Sequence, residues 1–435
     1  MTGQDHASGE TDQFKLLVVA AYASAFVLFG FVVDSPDKIA RGLIEILTTR
    51  DALLTDYVGV GGVGAAFANA GLLTLCSCLV YYLSGAKVSG ASVACLFLVL
   101  GFGLFGKNLL NVWFIVIGVF LYSRFRGEPF STHINTAFFG AALAPIFSEV
   151  LFSTSLTLPV SIPLSVAIAL LLGFVLAPAA SQLFKAHMGF SLYNMGFTAG
   201  IVGTLVVAFF KSYGYVPDPV MIWARGNNVL LGAFSFAIFG SMIIFGFYLN
   251  PSVLPKLRKL MSLPGQSPTD FISLVGLDAT LVNMGLTGMI GTAYVLIIGS
   301  DLNGPTIGAI LTIVGFAAFG KHPKNILPIM AGVFVGSLWK PWAISDPSIV
   351  LAALFGTTLA PIAGRFGWHW GIVAGFVHSS AALSVGQVHA GLNLYNNGFA
   401  AGIVAAVLAP VIMAIQSKQK QDDEATRATP ALSPD

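Results

Sequence analysis

HMGFSLYNMGFTAGIV, residues 187–202, is written almost unchanged a second time as HAGLNLYNNGFAAGIV, residues 389–404. The copies lie 389 − 187 = 202 positions apart and share eleven of sixteen residues. Chance in an apolar chain gives about one or two such matches, so the motif reports an internal duplication. What the duplicated unit builds follows from the rest of the chain.

The likeness runs well beyond the motif. FGFVVD from Phe29 answers to FGFYLN from Phe245, and TDYVGVGGVGAAFANAGL from Thr55 answers to TDFISLVGLDATLVNMGL from Thr269. GFGLFGK from Gly101 answers to GFAAFGK from Gly315, and LAPI stands at Leu143 and again at Leu359. The offset is 214 to 216 as far as those prolines (321 − 107 = 214; 359 − 143 = 216) and 202 beyond them. The first half therefore carries an insertion, placed in TSLTLPVSIP from Thr154.

Of 435 residues, 56% are hydrophobic and 9% charged, and the mean hydropathy is +0.84. A soluble domain carries about 25% charged residues, so this chain cannot clothe a water-facing surface. In lipid, an apolar stretch of about 20 residues crosses the hydrocarbon as a helix. Such stretches recur along nearly the whole length, about seven in each half. The expected fold is all-α: a polytopic membrane bundle of two homologous repeats with broken or re-entrant helices.

The expected organisation is a polar N-terminal tail (1–13), a first membrane repeat (14–213), a linker (214–228), a second repeat (229–416) and a polar, disordered tail (417–435). The opening is polar and slightly acidic before the first apolar run, which is unlike a secretory signal. Cys76, Cys78 and Cys95 lie in apolar runs and read as small buried hydrophobes. A net charge of +2 with no basic stripe excludes nucleic acid as a partner. Lys38, Arg41 and Arg50 follow the first span, and Lys256, Arg258 and Lys259 follow its counterpart. If basic loops share the cytoplasmic side, the repeats run parallel, with an even number of crossings each.

Polar residues kept in both halves are the candidates for chemistry, because a polar group at bilayer depth costs several kcal/mol unless paired. These are Asn69 and Asn283, Lys107 and Lys321, Asn111 and Asn325, His187 and His389, Tyr193 and Tyr395, and Asn194 and Asn396. Each Phe-Gly-Lys ends an apolar run. A snorkelling lysine at a helix end and a lysine offered to solute at a re-entrant tip both fit that place. Tyr-Asn at a helix start suits a half-helix aimed at a solute path, while Gly196–Gly200 and Gly398–Gly402 form small-residue packing patterns. Some features break the symmetry. Glu149 aligns with Arg365, either as an ion pair or as unrelated loop charges. Asp278 aligns with Gly64, and His378 with Leu176; each reads as a proton or sodium handle or as a satisfied structural residue.

Two Phe-Gly-Lys tips and the closing LYNNGFAAGIV resemble an uncharacterised bacterial family of multi-spanning membrane proteins, a domain of unknown function covering the whole chain. More distantly, Tyr-Asn at a broken helix start is similar to the duplicated urea-channel class, whose proline-threonine pore signature is missing here. SGAS from Ser89, aligned with NGPT from Asn303, is similar to the flavin-attachment motif of sodium-pumping quinone reductase subunits. The acidic residue that motif requires is Ala86 here, and a helix N-cap accounts for Ser or Asn before Gly.

The expected function is a channel or secondary transporter for a small polar or anionic solute, with its path at the interface of the repeats. The alternative is an electron-transfer or enzyme subunit of the flavin-carrying type. No twice-kept carboxylate pair, metal-ligand cluster or nucleophile–base spacing is visible, so neither catalysis nor a cofactor is expected. The partners implied are the solute, a coupling ion, the lipid of a bacterial inner membrane and, in this class, further copies in a homo-oligomer.

Overall fold

A computed structural model describes residues 3–153, 155–218 and 220–428. The first repeat runs α1 (Gly3–Val33), α2 (Pro36–Thr48), α3 (Tyr57–Leu83), α4 (Gly90–Phe102) and α5 (Trp113–Arg126). It continues through α6 (Phe130–Gly140), α7 (Ala144–Phe152), α8 (Leu158–His187) and α9 (Asn194–Ser212). The second repeat retraces the order: α10 (Asn228–Leu249), α11 (Leu254–Leu260), α12 (Phe271–Val275), α13 (Leu277–Ile297) and α14 (Gly304–Phe316). Then come α15 (Pro323–Trp339), α16 (Pro347–Gly356), α17 (Ala360–Phe366), α18 (Trp368–Val385) and α19 (Asn396–Ala428). Nine helical stretches among the described residues are long and apolar enough to cross a membrane.

Local chemistry repeats with the helices. Gly62, at φ 87°, kinks α3, and Gly276, at φ 97°, separates α12 from α13 at the same place; the positive φ suits glycine. Ser89 caps α4 in a capping box with Ser92, and Asn303 caps α14 in one with Thr306. The SGAS and NGPT stretches are thus helix caps. The insertion lies in α8, which has 30 residues against 18 in α18. Thr154 itself lies outside the described residues.

Equivalent helices pack antiparallel. Phe14 of α1 meets Phe245 of α10, and Phe29 stacks on Phe234 at 4.0 Å. In the α4–α14 pair, Gly90 lies against the Ala318 carbonyl and Gly304 against that of Leu104. No β-carbon fits at either glycine. A two-fold axis that reverses its own helices lies across them, in the membrane plane. The repeats are therefore inverted, and the expectation of parallel repeats is wrong.

The count of crossings agrees. The first repeat has five spans: Thr11–Val33, Tyr57–Leu83, Phe130–Phe152, Leu158–His187 and Asn194–Ser212. Between the second and third, α4 and α5 form a hairpin that enters and leaves by one face. Tyr81, near the end of α3, bonds Asn135, midway along α6. From there α6 and α7 run back along α5, with Phe120 on Phe130 and Phe114 on Phe147. An odd number of crossings turns the second repeat over. Several of the basic residues in question report local ion pairs rather than a side of the membrane: Lys256 with Asp278 at 2.8 Å, Arg41 with Asp37 at 2.8 Å and Arg50 with Glu149 at 2.7 Å.

The linker is pinned to the first repeat. β1 (Leu54–Thr55) pairs parallel with β2 (Met221–Ile222), and Asp56 accepts from Ala224 N at 2.8 Å and Gly304 N at 3.1 Å. The polar ends also differ from expectation: α1 already includes residues 3–13, and α19 continues through 417–428. Gln, Lys, Glu and Ala in that last stretch are good helix formers, which low hydropathy does not reveal. Residues 1–2 and 429–435 lie outside the described ones.

Candidate functional site

Each re-entrant tip is latched by an asparagine. Asn69 donates to the Gly103 and Lys107 carbonyls at 2.7 and 3.0 Å, and Asn283 donates to those of Ala317 and Lys321 at 2.9 and 2.8 Å. Asn69 Oδ1 also accepts from Leu109 N at 3.2 Å, whereas Asn283 Oδ1 has no partner. The counterpart of Leu109 is Pro323 (323 − 109 = 214), which has no N–H to give. Both asparagines are committed to backbone.

The latched tips deliver the lysines to the other repeat. Lys107 Nζ donates to Tyr395 OH at 2.5 Å and to Phe138 O at 3.3 Å. Lys321 Nζ donates to Tyr193 OH and, at 2.8 Å, to Thr357 Oγ1. Both side chains are 0% exposed and lie over aromatic faces, Lys107 over Tyr395 at 4.9 Å and Lys321 over Tyr193 at 4.4 Å. Neither joins an ion pair among the described residues. Snorkelling is excluded by this burial: the ammonium groups point inward.

The Tyr-Asn motifs meet at the axis. Gly196 and Gly398 face each other so closely that a β-carbon on Gly196 would stand 2.8 Å from Gly398 Cα. His187 Nε2 donates to Asn194 Oδ1 at 3.0 Å while Asn194 Nδ2 donates to Ala180 O at 3.0 Å. His389 and Asn396 repeat this at 3.0 Å, with Asn396 Nδ2 on Ala382 O at 2.8 Å. Each histidine thus orients the asparagine seven residues on. The histidines are buried, not interfacial.

Two cavities flank this centre. One of about 210 Å³ is walled by Asn194, Leu192, Phe139, Phe319, Ala91 and Tyr193 among others. The second, about 110 Å³, has Asn396, Leu394, Phe355 and Phe105 at the equivalent places. A narrow space of about 10 Å³ joins their walls, bounded by Leu98 and its counterpart Thr312, by Tyr193 and Tyr395, and by Phe102 and Phe355. Because the axis lies in the membrane plane, the cavities stand towards opposite faces. The asparagines therefore line two cavities and not one, because an inverted repeat separates what a parallel one would bring together. The tyrosines stand between them.

The remaining polar features fall elsewhere. Glu149 pairs with Arg50 at 2.7 Å, not with Arg365, which is exposed at the end of α17. Asp278 is held by Lys256 and, at 2.6 Å, by Asn250. Asp51, fully buried on the link into α3, carries no signal in the repeat pattern. It accepts from Tyr57 OH, Ser148 Oγ and Asn111 Nδ2 at 2.7, 2.8 and 2.9 Å. Burial pushes its carboxyl up from 3.8 to about 7, against the pull of those donors. Its counterpart is Gly265 (265 − 51 = 214), so a search for twice-kept residues passes over it. Asn325, the counterpart of Asn111, keeps the bond both make to the tip, to Gly320 O at 2.9 Å as Asn111 does to Gly106 O at 3.1 Å, but has no carboxylate beside it. Among the described residues, no group of three His, Cys, Asp or Glu could hold a metal ion.

These features define a multi-spanning helical membrane protein built of two inverted repeats. The chain belongs to the family described as "Protein of unknown function (DUF1576)", which matches residues 35–212 and 249–414. No curated protein and no solved structure matches it.

Proposed function

We propose that the protein is a channel or secondary transporter of a bacterial inner membrane, passing a small polar or anionic solute between its two repeats. One observation carries this reading: two symmetry-related cavities on opposite sides of a constriction bounded by Tyr193 and Tyr395. Inverted repeats with broken helices at their interface are the arrangement from which alternating access is built. Two lysines behind those tyrosines, with no carboxylate paired to them, favour an anion or a neutral dipole over a cation. A coupling ion and assembly into a homo-oligomer are compatible with this role; catalysis and a bound cofactor are no part of it.

Reconstitution into liposomes tests it. Vesicles shrunk by formate, acetate, nitrate or urea should re-swell faster with the protein than without. Methylammonium should gain nothing. Re-swelling indistinguishable from protein-free vesicles for every solute of that panel would sink the reading.

A further inference from the structure

The two cavities share part of their lining but place their polar groups differently: Asn135 and Ser267 line the first where Leu351 and Leu53 line the second. Met195 lines the first, and the same place in the second is Asn397 (397 − 195 = 202). Behind Met195's place in the sequence pattern stands Leu176, and its counterpart behind Asn397 is His378. His378 is fully buried, and its Nε2 donates to Asn397 Oδ1 at 3.1 Å. With its oxygen turned to the histidine, Asn397 presents its NH₂ to the space it lines. That NH₂ has no protein partner among the described residues, although Asn397 is only 8% exposed. Facing a space of about 110 Å³, that donor is available to whatever occupies the cavity.

We propose that the second cavity is a solute site in which Asn397 Nδ2, a donor without a counterpart in the first, donates to an acceptor oxygen of the solute. This rests on the transport reading and narrows it. The matching ligand is a small carboxylate, oxyanion or carbonyl compound. Asn397 also bounds the constriction, where Tyr395 holds the Lys107 ammonium. Size agrees. A cavity of about 150 Å³ holds a benzene ring, so about 110 Å³ takes a solute of about four or five non-hydrogen atoms. His378 is a positioning residue: it turns the amide but lines neither the cavity nor the constriction.

The test uses the full chain in detergent, with thermal unfolding read against sodium formate, sodium acetate and methylammonium chloride. Sodium chloride serves as the control. Formate or acetate should raise the wild-type midpoint, and Asn397→Met should need at least ten-fold more of either for the same shift. His378→Leu should weaken the shift in the same direction. Both variants copy residues that the first repeat already accommodates: a β-carbon on Gly140 would stand 3.3 Å from Leu176 Cδ1, as one on Gly356 would stand 2.7 Å from His378 Cδ2. Each variant removes one partner of the His378–Asn397 bond, so both midpoints without solute should fall, and every solute shift is read against the variant's own midpoint. Equal shifts in wild type and Asn397→Met, a shift with methylammonium instead, or no shift in the wild type would each overturn the site. Failure here with intact vesicle re-swelling leaves the path standing; loss of re-swelling in the wild type removes the path itself.

Discussion

Lys107 and Tyr395 lie in opposite repeats, yet the lysine ammonium reaches the phenol oxygen at 2.5 Å, and Lys321 makes the same reach to Tyr193. Each repeat thus completes the other's wall of the constriction. The second acceptors differ: a 2.8 Å hydroxyl of Thr357 for Lys321, and a 3.3 Å carbonyl of Phe138 for Lys107. Tyr395→Phe leaves Lys107 with the poorer bond, whereas Tyr193→Phe leaves Lys321 with the better one. A buried donor without its partner costs about 1–3 kcal/mol, more when charged. Tyr395→Phe should therefore lower the detergent unfolding midpoint more than Tyr193→Phe. Equal losses would mean the two lysines are held alike.

The tip latches make a second unequal pair. Asn69→Ala orphans two carbonyls and the Leu109 N–H; Asn283→Ala orphans two carbonyls only. A net bond of about 1 kcal/mol separates them, so Asn69→Ala should be the more damaging by about that much in denaturant or thermal unfolding. The reverse order would contradict the role given to Pro323.

The duplicated helices were legible because packing forces the same glycines and caps on both halves, as at Gly62 and Gly276. Tyr193, Lys107 and their counterparts were legible for the same reason. Their exchange across the axis was not, since it joins residues 288 apart in sequence. Nor was the inversion: Lys256, Arg41 and Arg50 answer to carboxylates beside them rather than to a side of the membrane. Asp51 and Asn397 were missed because their counterparts, Gly265 and Met195, carry no polar group. What one repeat does alone cannot be found by asking what both keep.

Asp51 gives a dependence on pH. Its carboxyl stands at about 7 when folded against 3.8 ordinarily, so folding takes up a proton between those values. A raised folded pKa makes the contribution complete below about 4 and lost as pH rises through about 7. The unfolding midpoint of the wild type should fall across that window, and Asp51→Asn should flatten the fall. Tyr57, Asn108, Asn111 and Ser148 face the carboxyl, and the Arg50–Glu149 pair lies beside Ser148. Glu149→Gln serves as the control, and the slope should survive it. A slope unchanged in Asp51→Asn would assign the titration elsewhere.

The inverted repeats make a sided prediction for the two motif asparagines. Asn194 lines the cavity that includes Ala91, at the start of α4, and Asn396 lines the one that includes Leu53, on the link into α3. These places belong to opposite faces, because α4 begins where α3 ends. In a background lacking Cys76, Cys78 and Cys95, Asn194→Cys should react with an impermeant thiol reagent added to one side of sealed vesicles. Asn396→Cys should react from the other side. Each asparagine also accepts the bond of its histidine, so some loss of stability is expected in both variants; labelling is read only on protein that stays folded and monodisperse. Between the cavities stands a space of about 10 Å³, too small to pass a thiol reagent without opening. Labelling of both positions from a single side would therefore require parallel repeats, and the antiparallel pairing of α4 with α14 would have to be given up. Labelling of each from its own side, and suppression of the Asn396→Cys reaction by acetate, would tie the topology and the solute path to the same residues.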